Sequence, residues 1–337
     1  MSKLVTKNPS GTETTAAAAA AAANPSLGEK FSAWRRNGTF QKYFFVYCCV
    51  TPGIIGYLLF TLYPNIMSVY YSFFEWDGLQ PMVFVGIDNY KKMITDEFMW
   101  SSLLNNLWLM LVVPVSVIIL SVFFADLLVT RNFKENEFYK VLFFFPNILS
   151  SVVIGLLWNF IYNGDWGILN AIIGLFGIDM NRFYWLGQEN LALGCVMVPM
   201  IWSAVGFYMI IFMNGMRSIP KSLYESAEMD GISNTKRLFK ITLPLISSLM
   251  RVAAIFLGLG ALKSFELIML MTQGGPNGAT RPIAMYMFNF AFGGTRTGGS
   301  QGTNYGYAST IGMFLFVILL IVKLLVDKFL PDEKIEF

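Results

Sequence analysis

The stretch LYESAEMDG at residues 223–231, followed by ITLP at residues 241–244, decides how this chain is interpreted. It is short and charged, and it lies between two long apolar runs. A segment this polar, held between stretches with the composition of membrane spans, indicates a docking surface for a cytoplasmic partner. The chain is therefore expected to work in a complex rather than as a self-contained enzyme.

Helix signals mark both ends of the first stretch. Pro220 suits a first helical position, and Ser222 with Glu225 has the spacing of a capping box. The helix is expected to end near Asp230. Gly231 then stands where a glycine of positive φ reverses the chain at a helix end.

The residues after this glycine predict a second, shorter element. Ser233 or Asn234 can cap a helix that carries Lys236 and further basic residues. Pro244 is expected to mark the bend into the next apolar run.

The faces of the first helix favour a protein partner. Leu223 and Ala227 share one face, and Glu225 and Glu228 share another. The small Ala227 allows close approach, and the carboxylates suit basic or amide groups. The alternative is an amphipathic helix lying on the membrane, but such a helix usually carries bulky apolar residues.

The composition places the chain in a membrane. Hydrophobic residues make up 55% of its 337 residues and charged residues 13%, against about 25% charged residues in a soluble domain. The chain has no histidine, which excludes mechanisms built on imidazole. Its three cysteines, Cys48, Cys49 and Cys195, lie in apolar runs without metal or redox spacing. No catalytic residue and no metal site is therefore expected.

Six apolar runs are long enough to cross a bilayer, which takes about 20 residues per helix. They are Tyr43–Ser68, Leu103–Val129, Val141–Tyr162, Leu191–Met213, Leu249–Met271 and Ala308–Leu330. The predicted fold is an all-α membrane protein with six transmembrane helices in a domain of residues 31–337. Residues 1–30 contain eight consecutive alanines and are predicted to form a disordered cytoplasmic tail.

Basic residues predict the orientation in the membrane. With the N-terminus inside, the inner segments and the inner ends of the spans hold 18 of the 24 lysines and arginines, the outer loops hold 5, and Lys263 lies deeper within a span. Cytoplasmic loops carry such an excess of positive charge. Both termini are therefore predicted to be cytoplasmic, with the docking loop at about residues 214–248 on the same side.

At the docking loop the chain resembles the membrane subunits of ATP-binding-cassette (ABC) importers. Their signature, Glu-Ala-Ala-x-x-x-Gly followed after nine residues by Ile-x-Leu-Pro, matches residues 225–231 and 241–244, except that serine replaces the first alanine. In that family this loop is a coupling helix seated in a groove of the cytoplasmic ATPase, and the permease has the type I importer fold. The resemblance implies these ATPase-coupling residues: Glu225, Ser226, Ala227, Glu228, Asp230, Gly231, Leu243 and Pro244.

Other segments narrow the resemblance to carbohydrate permeases of the maltose and glycerol-phosphate type. They are LFTLYP at 59–64, YSFFEWDG at 71–78, FVGIDNY at 84–90, SFE at 264–266, TQGGP at 272–276 and YGYA at 305–308. The resemblance covers about residues 40–330. It implies a multi-pass permease subunit of a sugar importer in the bacterial inner (plasma) membrane.

The same resemblance implies the partners. They are a second permease subunit, a cytoplasmic ABC ATPase dimer, an extracytoplasmic solute-binding protein and the lipid bilayer; no nucleic acid is expected. The chain lacks the Walker A pattern GxxxxGK[ST]. ATP and Mg²⁺ are therefore expected in the partner ATPase, and this chain is expected to bind no cofactor.

The substrate path is expected near the middle of the fourth and fifth spans. Maltose-type permeases contact sugar there, and the matching positions are Trp202, Ala204, Ala261 and Ser264. Lys263 and Glu266 are ionisable, and three residues apart they would share one helical face. They form either a structural ion pair or part of the path lining. Asn147 and Asn159 in the third span either line the path or form interhelical hydrogen bonds.

Three alternatives remain at this stage. The importer can carry a non-sugar solute such as glycerol phosphate. A proton-coupled secondary carrier would need several buried carboxylates, whereas Asp126 and Glu266 are the candidates within spans. A membrane enzyme would need paired acids or a nucleophile with a base, and the spans offer neither.

Overall fold

The computed structural model describes residues 39–131, 135–178, 180–293, 295–296, 299–300 and 302–329. The tail predicted for residues 1–30 lies outside the described residues. The chain divides into two units, Met1–Met67 and Ser68–Phe337, and each is described by itself.

Helices make up most of the described chain. They are α1 (Thr39–Tyr57), α2 (Tyr63–Tyr71), α3 (Asp88–Ile94), α4 (Glu97–Arg131), α5 (Asn136–Ile148), α6 (Ser151–Ile161), α7 (Ile168–Leu175), α8 (Glu189–Ser218), α9 (Lys221–Met229), α10 (Asn234–Arg237), α11 (Leu243–Leu245), α12 (Ser247–Leu262), α13 (Glu266–Met271), α14 (Ile283–Phe292) and α15 (Tyr305–Phe329). Five-residue π-helical turns, Leu58–Leu62 and Leu238–Thr242, join α1 to α2 and α10 to α11, and a 3₁₀ turn, Trp185–Gly187, precedes α8.

Two short antiparallel hairpins complete the described structure. Strands β1 (Phe74–Glu75) and β2 (Val83–Phe84) pair Phe74 with Phe84. Strands β3 (Thr295–Arg296) and β4 (Gly299–Ser300) pair Thr295 with Ser300. The architecture is therefore helical, as predicted.

Four helical segments of the described chain are long and apolar enough to cross a membrane: Lys42–Tyr71, Glu97–Arg131, Glu189–Ser218 and Tyr305–Leu324. They coincide with the first, second, fourth and sixth predicted spans. The remaining two predicted spans fall on bent helix pairs, with bends of 98° between α5 and α6 and 72° between residues 234–245 and α12. The count is six only if each bent pair crosses the membrane once.

The third predicted span bends because the backbone becomes extended at two consecutive residues. Leu149 has φ −70° and ψ 142°, and Ser150 has φ −67° and ψ 152°. The Ser150 hydroxyl oxygen then accepts a hydrogen bond from the Val153 amide at 3.4 Å, which caps α6. Hydropathy does not detect such a break, because both sides of it are apolar.

The fifth predicted span is shorter than expected, since α12 ends at Leu262 rather than at residue 271. Asn106 of α4 is fully buried, and its Nδ2 donates to the carbonyls of Ala261 (3.3 Å) and Leu262 (3.1 Å). Its Oδ1 accepts from the Ile283 amide, at the start of α14, at 2.7 Å. One side chain thus satisfies backbone groups that the helix break leaves without helical partners.

Helix α8 packs closely against α4 and α5. A Cβ atom at Gly206 of α8 would lie 1.9 Å from the Phe143 carbonyl oxygen of α5. The Ser121 hydroxyl of α4 donates to the Val205 carbonyl at 2.9 Å. These contacts hold the core of the second unit together.

The Asp96 carboxylate links three helices, α4, α14 and α15, next to the N-terminus of α4. Asp96 Oδ2 accepts hydrogen bonds from the hydroxyls of Tyr286 in α14 and Tyr307 in α15, each at 2.6 Å. Its Oδ1 accepts from the Phe98 and Met99 amides at 3.1 Å and 3.3 Å, at the first turn of α4. These charge-assisted hydrogen bonds hold the ends of the three helices together.

The glycine-rich residues 273–278 lie in a hydrogen-bonded segment, residues 272–282, although their composition predicts a flexible, weakly structured connection. The hydroxyls of Thr272 and Thr280 lie 2.7 Å apart, and Thr280 donates to the Gly275 carbonyl at 2.8 Å. Asn105 of α4 donates to the carbonyls of Gly278 and Arg281, both at 3.1 Å. Hydrogen bonds within the segment and from the distant Asn105 therefore hold it in place.

Candidate functional site

Helix α9 forms the first part of the predicted docking loop, but its N-terminus differs from the expectation. Pro220 precedes the first helical residue as the N-cap, and no side chain caps the helix. The predicted capping box between Ser222 and Glu225 is therefore wrong. With Pro220 as the N-cap, the N3 position is Leu223, so Glu225 lies two residues beyond the position from which it could reach back to the cap.

The C-terminus of α9 confirms the predicted glycine stop. Gly231 has φ +69°. Its amide donates to the Glu228 carbonyl at 3.0 Å, and the Ile232 amide donates to the Ala227 carbonyl at 3.0 Å. These two bonds constitute a Schellman motif, in which a residue of left-handed conformation reverses the chain.

One face of α9 presents acidic and small polar side chains to solvent. The exposed residues are Lys221, Ser222, Leu223, Glu225, Ser226, Glu228, Met229 and Asp230. Glu225, Glu228 and Asp230 make no ion pair with any described residue. The Met229 side chain is 89% exposed at the tip. This surface is mainly polar, with two large apolar side chains, Leu223 and Met229.

Ala227 lies on the opposite face. It was predicted to contact a partner, but it is only 3% exposed and packs against the body of its own chain. Its small size therefore allows α9 to lie close to the rest of the unit. Among the predicted docking residues of α9, Ala227 therefore faces inward and the others are exposed.

The second part of the loop anchors α9 to the bundle. Ser233 is the N-cap of α10 by backbone conformation, although its side chain makes no capping bond. The sharp turn into α12 occurs at Ile246, two residues beyond the predicted bend at Pro244. Ile246 is 1% exposed and belongs to a buried cluster with residues of α4 and α8, against which Leu243 also packs. Burial of this side chain, rather than the proline alone, positions the turn.

The six predicted path residues differ in their surroundings. Trp202 lines an apolar cavity of about 610 Å³ together with Phe124, Phe143 and Pro146. Ala261 is 3% exposed in the core, where Ala204 also packs. Within this single chain, both alanines therefore belong to the hydrophobic core.

Lys263 and Glu266 do not share one helical face, contrary to the expectation. The helix ends at Leu262, Lys263 is its C-cap, and Glu266 begins α13. Both side chains are exposed, and no ion pair within 4.0 Å joins them among the described residues. The Ser264 hydroxyl between them donates to the Ala261 carbonyl at 2.7 Å. At this helix break, backbone and hydroxyl groups form hydrogen bonds with each other. Both charged side chains remain on the surface.

The two asparagines of the third predicted span form interhelical hydrogen bonds. Asn147 donates to the Ser203 carbonyl at 3.3 Å, and Asn159 donates to the Leu270 carbonyl at 3.4 Å. Sequence reasoning missed their neighbour Trp158, whose ring centroid lies 5.9 Å from that of Trp202. Its Nε1 is buried without a hydrogen-bond partner in the described structure. The sequence pattern gives no signal for this tryptophan pair, because it depends on the bend between α5 and α6.

Residues 117–334 match the family model described as "Binding-protein-dependent transport system inner membrane component". This match covers α8, α9 and the Schellman turn, and thus the whole docking loop. The chain belongs to this family. As a family member it is a multi-pass transport subunit of the bacterial membrane rather than a catalytic subunit.

Curated relatives extend the similarity over most of this family member. It is 30% identical over 303 residues to a diacetylchitobiose uptake system permease protein of Streptomyces coelicolor, covering 87% of this chain and 84% of the relative. It is 32% identical over 281 residues to a multiple sugar-binding transport system permease protein of Streptococcus mutans, covering 83% and 92%.

A solved structure confirms the fold. The chain superposes with a TM-score of 0.74 on a chain of a bacterial ABC transporter involved in the import of the acidic polysaccharide alginate, at 22% identity. The superposition covers 88% of this chain and 100% of the other. The permease therefore has the type I ABC importer fold predicted from its coupling loop.

Proposed function

We propose that this permease is a subunit of an ATP-driven importer of sugars or oligosaccharides. It forms the translocation path with a second permease subunit and is coupled to a separate ATPase dimer through residues 225–231. The single observation that carries this proposal is the exposed acidic face of α9, ended by the Schellman turn at Gly231 and seated against the bundle by Ala227. An acidic, ordered helix end suits a groove lined by basic and amide groups.

Sugar as the substrate class is supported by the curated relatives, which are described as permeases for diacetylchitobiose and multiple sugars. An extracytoplasmic solute-binding protein as a partner is supported by the alginate transporter, which has been solved with a pentasaccharide-bound periplasmic protein. Trp202 offers an aromatic ring at the apolar cavity, with the Trp158 ring beside it, and such a ring suits the apolar face of a sugar. Lys263, Ser264 and Glu266 are retained as path residues, which a second permease subunit would have to cover.

The proposed function is tested by reconstituting the complex in proteoliposomes and measuring uptake of labelled oligosaccharides. We expect uptake to require the ATPase, ATP and the binding protein, because this chain has no nucleotide-binding pattern of its own. Uptake by the permeases alone, driven by a proton gradient, would instead identify a secondary carrier. Uptake of glycerol phosphate in preference to sugars would assign the importer to the alternative solute.

We further propose that residues 131–140 and 214–248 face the cytoplasm and residues 273–307 face the outside, as the excess of basic residues indicates. The test is labelling of single cysteines by a membrane-impermeant reagent after replacement of the three native cysteines. Asn234→Cys is expected to stay unlabelled from outside, whereas Leu79→Cys, in a loop predicted to lie outside and 93% exposed, should be labelled. External labelling at position 234 would contradict this orientation.

A further inference from the structure

Arg237, in the short helix α10, points back to the end of the long helix α4. Its Nη2 donates a hydrogen bond to the Thr130 hydroxyl at 3.1 Å. Both side chains are half-buried. The neighbouring Lys236 and Lys240 are exposed and have no ion-pair partner in the described part of the chain, so Arg237 differs from the basic residues around it.

The same guanidinium also contacts the coupling helix. Its carbon lies 5.1 Å from the centroid of the Tyr224 ring, on the inner side of α9. The Tyr224 hydroxyl lies 3.3 Å from the hydroxyl of Thr242, which is 2% exposed. Arg237 is therefore held between α9 and α4, and Tyr224 connects α9 to the segment that leads into α12.

Thr130 continues the connection into α4. Its hydroxyl accepts from Arg237 and donates to Asp126 Oδ1, one turn earlier, at 3.2 Å. A hydroxyl can fill both roles at once, whereas a methyl group of the same size can fill neither. The result is a continuous polar chain from Tyr224 through Arg237 and Thr130 to Asp126, beside an otherwise apolar cluster.

We propose that Arg237 is a positioning residue that transmits displacement of the coupling helix α9 to the transmembrane helix α4. The inference rests on the proposed function, in which an ATPase moves α9. The apolar cluster holds the base of the loop, but apolar contacts are not directional and allow the helix to slide. The planar guanidinium stacks on Tyr224 while its N–H groups are directed at Thr130, a combination that a lysine ammonium does not reproduce.

The proposal predicts a loss of coupling without a loss of docking. The acidic face of α9 is untouched in Arg237→Ala and Thr130→Val, so the ATPase should still co-purify. Solute transported per ATP hydrolysed should fall about tenfold or more, because each variant loses the charged hydrogen bond between Arg237 and Thr130. Arg237→Lys should recover part of this ratio, and Thr130→Ser should recover nearly all of it.

The experiment uses the complete transporter in proteoliposomes and measures co-purification, ATP hydrolysis and uptake in the same preparation. Lys236→Ala is the matched control and should behave as the unmodified protein. Combining Arg237→Ala with Thr130→Val should lower the ratio no further than either change alone, because both break one connection. If Arg237→Ala fails to assemble, the nearly isosteric Thr130→Val carries the test.

Two results would overturn the proposal. One is an unchanged ratio in the assembled variants, and the other is loss of ATPase binding in Thr130→Val, which would make the contact part of the docking surface. Failure of the proposed function gives a different result, since the unmodified complex would then show no ATP-dependent uptake, and the inference would fall with it.

Discussion

Gly206→Ala is expected to destabilise the permease strongly and to prevent most of it from assembling. The added Cβ would lie 1.9 Å from the Phe143 carbonyl oxygen, 2.4 Å from its carbon and 2.8 Å from the Phe144 nitrogen. These are backbone atoms of α5, so they cannot turn aside as a flexible side chain would. Overpacking a core costs about 1–3 kcal/mol and occasionally more, and a backbone clash this close belongs at the upper end of that range.

The matched control lies in the same helix. Gly194 of α8 is exposed, and no heavy atom lies within 4 Å of a Cβ built there. Gly194→Ala should leave stability unchanged or raise it by about 0.5–1 kcal/mol, the helix preference of alanine over glycine. Thermal unfolding of the purified protein in detergent provides the comparison. Equal stability of the two variants would show that α5 and α8 are further apart than described.

Gly231→Pro is expected to abolish ATP-driven uptake. The native φ of +69° is inaccessible to proline, which is confined to about −65°. Proline also lacks the N–H that donates to the Glu228 carbonyl at 3.0 Å. The Schellman turn therefore cannot form, and the acidic face of α9 loses its fixed direction. Uptake and ATPase co-purification should both fall to background.

Gly231→Asn separates the backbone effect from the loss of glycine as such. Asparagine tolerates the left-handed region better than most residues, and a Cβ at this position meets no atom within 4 Å. This variant should retain most of the uptake, and Gly231→Ala should lie between the two. Normal uptake by the proline variant would contradict the role given to this turn.

Features that depend on nearby residues were predictable from the sequence. The glycine stop of α9 needs only the local pattern, and the long apolar helices need only hydropathy. The break after Leu262 was missed because Asn106, which satisfies its carbonyls, is 155 or more positions away in the sequence. Because this break was missed, Lys263 and Glu266 were predicted to lie on one helix.

In the candidate site, too, some features were predictable from nearby residues and others were not. The exposed carboxylates of α9 could be identified from the spacing of Glu225 and Glu228, since a helix of period 3.6 places them together. The inward direction of Ala227 could not, because a small residue suits both close packing and a docking surface. The link from Arg237 to Thr130 joins residues 107 positions apart and has no local signal.

Cross-linking tests whether α9 docks on a cytoplasmic ATPase. After replacement of the native cysteines, Glu228→Cys on the exposed face of α9 and Leu79→Cys in the first loop are each treated with a short bifunctional reagent in the assembled complex. We expect a covalent adduct between the ATPase subunit and position 228, with none at position 79. An ATPase adduct at position 79, or none at position 228 in a complex that hydrolyses ATP, would contradict this docking.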